Sequence, residues 1–157
     1  MNIKLLAIGK TDDKNLQSLI NEYTKRLGFY VKFDLEVIPD IKNAKSLSEI
    51  QQKQKEGELI LSKISTTDHL ILLDENGKSF NSVGFANELQ KKMNAGIKTL
   101  VFVIGGPYGF SEEVYNKAKG KISLSAMTFS HQMVRLFVIE QIYRGFTILH
   151  NEPYHHQ

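Results

Sequence analysis

A glycine-rich segment, Gly105-Gly106-Pro107-Tyr108-Gly109, is the part of this sequence best suited to binding a ligand. Glycines let the backbone turn sharply and approach a flat ligand with its own N–H and C=O groups. A turn with a purely structural role is the alternative. The segments Leu73 to Lys78 and Ser125 to Ser130 also follow predicted strands. Because ligands of open α/β sheets bind outside the carboxyl ends of the strands, the three segments together predict one pocket.

The residues around this pocket argue against a polyphosphate ligand. The glycine segment has neither the Walker pattern nor the dinucleotide-binding fingerprint. The helix predicted after it begins Ser111-Glu112-Glu113, which places two carboxylates where a pyrophosphate needs positive potential. A nucleoside-type cofactor without phosphates fits better. S-adenosylmethionine, which is cationic at sulfur, is the commonest of these.

Arginine is scarce in this chain and is therefore informative. Of the 20 Lys and Arg residues, only three are arginines: Arg26, Arg135 and Arg144. Arginine binds phosphate in a planar, bidentate manner, so Arg135 and Arg144, close together near the C-terminus, are candidates for contact with nucleic acid. Glu140 and Arg144 are also spaced for an ordinary helix salt bridge. His131 stands at the start of the last predicted helix, where function and helix capping are equally good interpretations.

The C-terminal tail contains Pro153, Tyr154 and His155, which suggest a segment that docks rather than frays. The chain has no cysteine and no His-x-x-His or His-Glu-x-x-His pattern. We therefore expect no metal site.

Hydrophobic periodicity predicts five β-α units in a single domain spanning residues 1–157. Continuous apolar runs at 70–73 and 99–104 predict central parallel strands, and the alternating run 31–37 predicts a strand near an edge. We expect an α/β fold with a mostly parallel sheet flanked by helices. The polar stretch 51–58 lies within a predicted helix and is interpreted as a solvated face, with contact to a polar partner as the alternative.

The last predicted helix, about His131 to Leu149, carries apolar side chains in nearly every direction around its axis. A single core-facing stripe does not accommodate them all. The helix is therefore either wholly internal or packed on a second subunit. As the final element of a small domain it is more easily covered by a partner, which favours a homodimer.

Composition sets outer limits on these interpretations. The chain has 157 residues, 41% of them hydrophobic, and a net charge of +3, which describes an ordinary globular domain with a mild preference for polyanions. No apolar run approaches the roughly 20 residues that cross a bilayer. We therefore expect a cytoplasmic protein with no membrane association.

Five separated segments occur here in an order that resembles the ribosomal RNA large subunit methyltransferase H family of the SPOUT class. They are Ile104-Gly105-Gly106-Pro107-x-Gly109, Ser123-Leu124-Ser125-x-Met127-Thr128, His131, Glu140-x-x-Tyr143-Arg144 and Pro153-Tyr154-His155. The resemblance covers the whole chain. It implies a C-terminal trefoil knot, a homodimer, and S-adenosylmethionine-dependent methylation of N3 of a pseudouridine in large-subunit (23S) ribosomal RNA. General topology rules would have argued against a knot.

The resemblance also assigns residues. Its cofactor side comprises Leu73, Gly105, Gly106, Ser125, Ala126, Met127, Thr128, Phe129 and Ser130. Its catalytic or substrate side comprises His131, Arg144, Tyr154 and His155. The chain departs from the family pattern at Ser130, where relatives carry Pro, at Gly145, where they carry Ala, and in its His156-Gln157 terminus.

Methylation of N3 requires the loss of a weakly acidic proton. His131 or His155 could accept it through water, and Arg144 could stabilise an imide anion or contact a phosphate. The sequence does not rank these roles. A non-catalytic RNA-binding dimer and a small-molecule methyltransferase are the competing functions. An assembled ribosome, rather than naked RNA, would supplement the small basic surface of one chain.

Overall fold

Five parallel strands form the sheet that positions every candidate residue. The computed structural model describes residues 1–156, so Gln157 lies outside the described residues. The strands are β1 (Asn2–Ile8), β2 (Lys32–Ile38), β3 (His69–Ser79), β4 (Thr99–Ile104) and β5 (Gly120–Ser123). Their spatial order is β2-β1-β4-β3-β5, and every neighbouring pair is parallel. The predicted parallel sheet and the edge position of β2 are confirmed.

Helices cover both faces of this sheet. They are α1 (Lys14–Leu27), α2 (Glu49–Ser62), α3 (Ser82–Asn94), α4 (Glu112–Lys117) and α5 (Met133–Leu149). Apolar side chains of α1, α3 and α5 share one core cluster, and those of α2 and α4 share the other. The predicted α/β class is confirmed. Because β3 lies between β4 and β5, the strand order is consistent with the implied knot.

Strand β3 continues beyond its predicted end. The sequence pattern placed Leu73 to Lys78 after the third predicted strand, but Lys78 and Ser79 pair again with β5. The parallel register shifts between Leu73 and Lys78, which makes the intervening residues an irregularity within the strand. The predicted end of this strand was therefore wrong, because backbone pairing with β5 resumes after the break. Asp74 and Glu75 lie within the break.

Helix α2 is not solvated along its whole polar stretch. Glu56 is 3% exposed, and Gly57 is also buried. A side chain at Gly57 would lie 3.0 Å from Cβ of Ser111, so α2 packs closely on the start of α4. The interpretation of 51–58 as a wet face was wrong at Glu56 and Gly57, because the missing side chain of Gly57 permits this approach.

Helix α5 is buried along one side only. Val138, Ile139 and Ile142 lie in the core that α5 shares with α1 and α3. Met133 is 48% exposed and Phe137 is partly exposed, so apolar side chains remain on the outer side. Neither wholly internal packing nor full exposure describes the helix, and its outer apolar side is open to a partner.

Arg135 anchors the beginning of α5 and has no access to nucleic acid. Its side chain is 1% exposed. The guanidinium donates to the carbonyl of Ile8 at 2.7 Å, to Oγ1 of Thr11 at 2.9 Å and to the carbonyl of His131 at 3.2 Å. The sequence analysis considered Arg135 for phosphate contact. Burial and these three acceptors make it a structural residue instead.

No helix within residues 1–156 combines the length and apolar composition needed to cross a bilayer.

We predict that Arg135→Met lowers the free energy of unfolding by about 3 kcal/mol, because three acceptors lose a buried, charged donor. Urea unfolding of the two proteins measures this difference. Arg26→Met is the control, since Arg26 makes an exposed ion pair with Glu22 and such pairs contribute little. Equal unfolding midpoints for the Arg135 and Arg26 variants would contradict the anchoring role.

Candidate functional site

A cavity of about 460 Å³ opens at the carboxyl ends of β3, β4 and β5. All three segments predicted from the sequence line it: the break in β3, the glycine segment after β4, and the segment after β5. Of the nine predicted cofactor residues, eight line the cavity, namely Leu73, Gly105, Gly106, Ser125, Ala126, Met127, Thr128 and Phe129. The predicted convergence is confirmed.

Ser130 is the predicted cofactor residue that does not line this cavity. Its hydroxyl accepts a hydrogen bond from the N–H of Met133 at 3.2 Å, and its carbonyl accepts from the N–H of Val134 at 3.0 Å. The first turn of a helix has N–H groups without intrahelical partners. Ser130 thus directs its polar atoms to the start of α5 rather than to the cavity.

Local turns hold the glycine segment and the segment after β5. Gly109 has φ +80°, in the region that favours glycine, and Gly109 and Gly106 form a β-bridge across the turn. In the segment after β5, the hydroxyl of Ser125 accepts from the N–H of Met127 at 2.9 Å. The carbonyl of Ser125 accepts from the hydroxyl of Ser123 at 3.1 Å.

The charge lining the cavity is negative. Asp74 and Glu75 contribute carboxylates, and none of the described lining residues is a lysine or an arginine. The hydroxyl of Tyr115 donates to Oδ2 of Asp74, and the N–H of Asn76 donates to Oδ1 at 2.8 Å. Burial and this carboxylate raise the pKa of Tyr115 to about 12, which keeps Tyr115 a donor. Such a lining suits a cation and disfavours phosphate.

Sequence reasoning missed Tyr115 and Val134 among the lining residues, and it gave no role to Asp74 within the predicted segment. The acidic Asp74-Glu75 pair was visible within the predicted segment, and its charge was the signal that could have indicated a cationic ligand. Tyr115 lies on α4 and Val134 on α5, and nothing in their spacing connects them to the cavity.

A second cluster gathers around Glu140 on α5. Oε1 of Glu140 accepts from Nε of Arg144 at 3.0 Å, from Nη2 of Arg144 at 2.6 Å, and from the hydroxyl of Tyr154 at 2.9 Å. The Arg144 guanidinium also lies 4.6 Å from the centre of the Tyr154 ring. The hydroxyls of Tyr154 and Tyr23 are 3.2 Å apart. The tail therefore docks on α5 and α1, as predicted.

The contact between Arg144 and His155 decides the form of the imidazole. Nη1 of Arg144 lies 3.3 Å from Nδ1 of His155. Because arginine only donates, Nδ1 is the acceptor, and a neutral ring then carries its proton on Nε2. In this arrangement His155 offers a donor at Nε2 and has no free basic nitrogen. His131, by contrast, lines the cavity and has an exposed side chain.

The four predicted catalytic residues do not come together within one chain. His131 lines the cavity, whereas Arg144, Tyr154 and His155 do not. Met133 and Arg144 are separated by about 16 Å of helix axis, at 1.5 Å per residue. The tail cluster thus lies at the other end of α5 from the cavity.

Comparison with known proteins identifies the family. The model of a family described as "Predicted SPOUT methyltransferase" matches residues 1–155. The chain belongs to this SPOUT methyltransferase family. It is 80% identical over 157 residues to the ribosomal RNA large subunit methyltransferase H of Flavobacterium johnsoniae, and equally to that of Flavobacterium psychrophilum. Each alignment covers 100% of both chains.

A solved structure agrees with the SPOUT assignment in fold. The chain is similar to a probable methylase family protein from Haemophilus influenzae Rd KW20, with a TM-score of 0.54 and 14% identity. The similarity covers 96% of this chain and 66% of the other. At this identity the similarity concerns the fold alone. The resemblance stated from the sequence motifs is confirmed.

No three His, Cys, Asp or Glu side chains of this SPOUT chain cluster as metal ligands would, as far as residues 1–156 are concerned. The cavity offers a site for a cationic organic ligand.

We predict that Tyr154 is a hydrogen-bond donor across the neutral range and does not act as a phenolate base. Burial, followed by its hydrogen bonds to Tyr23 and Glu140, raises the pKa of Tyr154 well above its ordinary value of 10.0. Its contact with Glu140 is therefore retained at neutral pH and lost only as pH rises through the elevated pKa. When the ultraviolet titration curve of Tyr154→Phe is subtracted from that of the wild type, the difference should show one phenol that ionises above the ordinary pH range for tyrosine. A difference curve centred near the ordinary value would contradict this.

Proposed function

We propose that this protein is an S-adenosylmethionine-dependent methyltransferase of large-subunit (23S) ribosomal RNA. It acts in the cytoplasm as a homodimer, transfers a methyl group to N3 of a pseudouridine, and uses assembled ribosomes as its substrate. The observation that carries the proposal is the acidic cavity lined by all three predicted segments. Full-length identity of 80% to proteins named for methylation of large-subunit ribosomal RNA supports the substrate class.

The cavity residues fit this cofactor by charge. S-adenosylmethionine supplies an electrophilic methyl group on a positively charged sulfur. Asp74 and Glu75 favour positive charge in the cavity, and the backbone of Gly105 and Gly106 permits close approach of a flat nucleoside. The cavity has a suitable size for such a ligand, since pockets for small molecules range from roughly 300 to 1,000 Å³.

The proposed reaction needs positioning and the removal of one proton. N3 forms a bond to the methyl carbon as the carbon–sulfur bond breaks, and the N3 proton passes to a base or to solvent. His131 is the better candidate for that base, because its ring lines the cavity while Nδ1 of His155 is engaged by Arg144. Alignment of the reacting atoms supplies most of the acceleration, so no covalent nucleophile is required.

A dimer would bring the tail cluster of one chain to the cavity of the other. The tail cluster of one chain is about 16 Å of helix axis from its own cavity. An apolar groove beside the cavity, lined in part by Phe80, Phe129 and Phe137, is left open in a single chain. We therefore place α5 of a second copy on this groove, so that the Arg144, Tyr154 and His155 cluster of one subunit faces the cavity of the other.

Labelled methyl transfer tests the proposal directly. The protein is incubated with methyl-labelled S-adenosylmethionine and with undermethylated ribosomes, free large subunits or naked ribosomal RNA. We expect label on one pseudouridine of the large-subunit RNA, with ribosomes as the best substrate. Label on metabolites alone would favour a small-molecule enzyme. Absence of cofactor binding would favour a non-catalytic RNA-binding module.

Deletion of Pro153 to Gln157 should reduce methyl transfer by at least ~10²-fold, since it removes the Tyr154 and His155 donors that would position the RNA, and misplacement of a reactant costs about this much. Cofactor affinity should be retained, because Tyr154 and His155 do not line the cavity. Arg144→Ala should also reduce transfer, with a steeper dependence on salt, because it removes a candidate phosphate contact. Normal transfer by the tail-deleted protein would refute the role of the tail.

Mixing two inactive variants tests the shared site. The tail-deleted protein retains a cavity, and Gly106→Arg retains a tail. Random exchange of subunits would give mixed dimers with one intact site each, and activity should recover to about one quarter of the wild type. The tail-deleted protein alone, taken through the same exchange procedure, is the control. No recovery despite proven subunit exchange would mean that cavity and tail of the same chain cooperate.

A further inference from the structure

Glu56 is a buried carboxyl group that the proposed reaction does not use. It lies on α2, in the middle of a polar stretch, and is 3% exposed. The close packing of Gly57 on Ser111 fixes the depth at which this turn of α2 sits. Burial of a carboxyl group is unfavourable unless its polar atoms are satisfied, so its position requires a reason.

The Glu56 carboxyl group lies directly against Gly106. A Cβ atom at Gly106 would stand 2.6 Å from both Cδ and Oε1 of Glu56, and closer still to Oε2. Gly106 lines the cavity and Glu56 does not. The carboxyl group therefore supports the cavity wall from behind. It occupies the space that a side chain at position 106 would need. The need for glycine here comes from Glu56 as much as from a ligand.

The surroundings of Glu56 favour its uncharged form. Oε1 accepts from Nε2 of Gln52 at 3.0 Å, while Oε2 is buried without a hydrogen-bond partner among the described residues. The titratable groups that face it are Asp40, which follows β2, and His131, which precedes α5. Burial is the main cause that raises the pKa of Glu56, and Asp40 raises it further, while Gln52 and His131 oppose the change.

We propose that Glu56 is a positioning residue for the cofactor: its buried carboxyl group, packed against Gly106, holds the glycine segment 105–109 in the shape that binds S-adenosylmethionine. This inference rests on the proposed function for the identity of the ligand. Ionisation would place a buried, unpaired charge against Gly106, and the carboxylate or the glycine segment would have to move toward water to relieve it. Cofactor affinity should therefore fall as pH rises through the elevated pKa of Glu56.

Calorimetric titration of the full chain with S-adenosylmethionine over a pH series tests this. Glu56→Gln keeps the shape and cannot ionise, so it should bind like the wild type at low pH and lack the decline at higher pH. Glu56→Ala should weaken binding about 10-fold at every pH. Glu58→Gln is the matched control, because Glu58 is exposed on the same helix. The same pH decline in Glu56→Gln and in the wild type would overturn the assignment of this pH dependence to Glu56.

A double-mutant cycle separates direct contact from general destabilisation. Gly106→Ala alone should weaken binding more than 10-fold, because its methyl group meets the carboxyl group of Glu56. Gly106→Ala combined with Glu56→Ala should bind more tightly than Gly106→Ala alone, since the truncation makes room for the methyl group. Thermal melting confirms that each variant is folded. If the fold-losses in affinity of the two single variants simply multiply in the double variant, the contact between Glu56 and Gly106 is contradicted.

Amide hydrogen exchange at 105–109 in the free protein tests Glu56 without any ligand. Exchange should accelerate in Glu56→Ala and remain at the wild-type rate in Glu56→Gln. If the wild type binds no S-adenosylmethionine but this pattern is found, the proposed cofactor is wrong and the support of the glycine segment stands. If the wild type binds and Glu56→Ala matches it in both affinity and exchange, the inference is wrong.

Discussion

The buried guanidinium of Arg135 is the interaction on which the arrangement of the site depends. It joins the carboxyl end of β1, through Ile8 and Thr11, to the carbonyl of His131 at the start of α5. The side chain of Gln132 adds hydrogen bonds to the N–H and the carboxylate of Asp12. Residues more than 100 positions apart are thereby fixed together. These contacts hold the far end of the segment after β5 beside the end of β1.

The fold separates two kinds of electrostatic environment. The cavity end holds Asp74 and Glu75 and favours a cation. At the other end of α5, Arg144 is paired with Glu140, which raises the pKa of Arg144 and keeps its charge fixed in one place. Under the proposed function, a cationic cofactor and an anionic RNA would be directed to different parts of the same chain. Methyl transfer would require that these parts meet, which links the proposed reaction to assembly of the proposed dimer.

The parallel sheet, the three converging segments and the docked tail could be predicted because each has a local signature in the sequence. Apolar runs mark central strands, and glycines mark close backbone approach. Glu56 and Arg135 could not be predicted as buried, because their types and neighbours are those of exposed residues. Their burial depends on distant partners, Gly106 for one and Ile8 with Thr11 for the other. The break in β3 was hidden likewise, because it arises from renewed pairing with β5.

Glycines at helix contacts explain how this chain brings distant residues so close together. Gly57 lets α2 approach Ser111, and Gly106 then receives the carboxyl group that this approach delivers. Gly145 does the same between α5 and α3, since a Cβ there would lie 2.8 Å from Cδ1 of Leu89. An alanine at position 145 of this chain would therefore require a shifted Leu89 or a slightly wider spacing of the two helices. Close packing transmits such shifts, so the spacing of α5 and α3 influences the position of the tail cluster, which the proposed dimer would place against a second subunit.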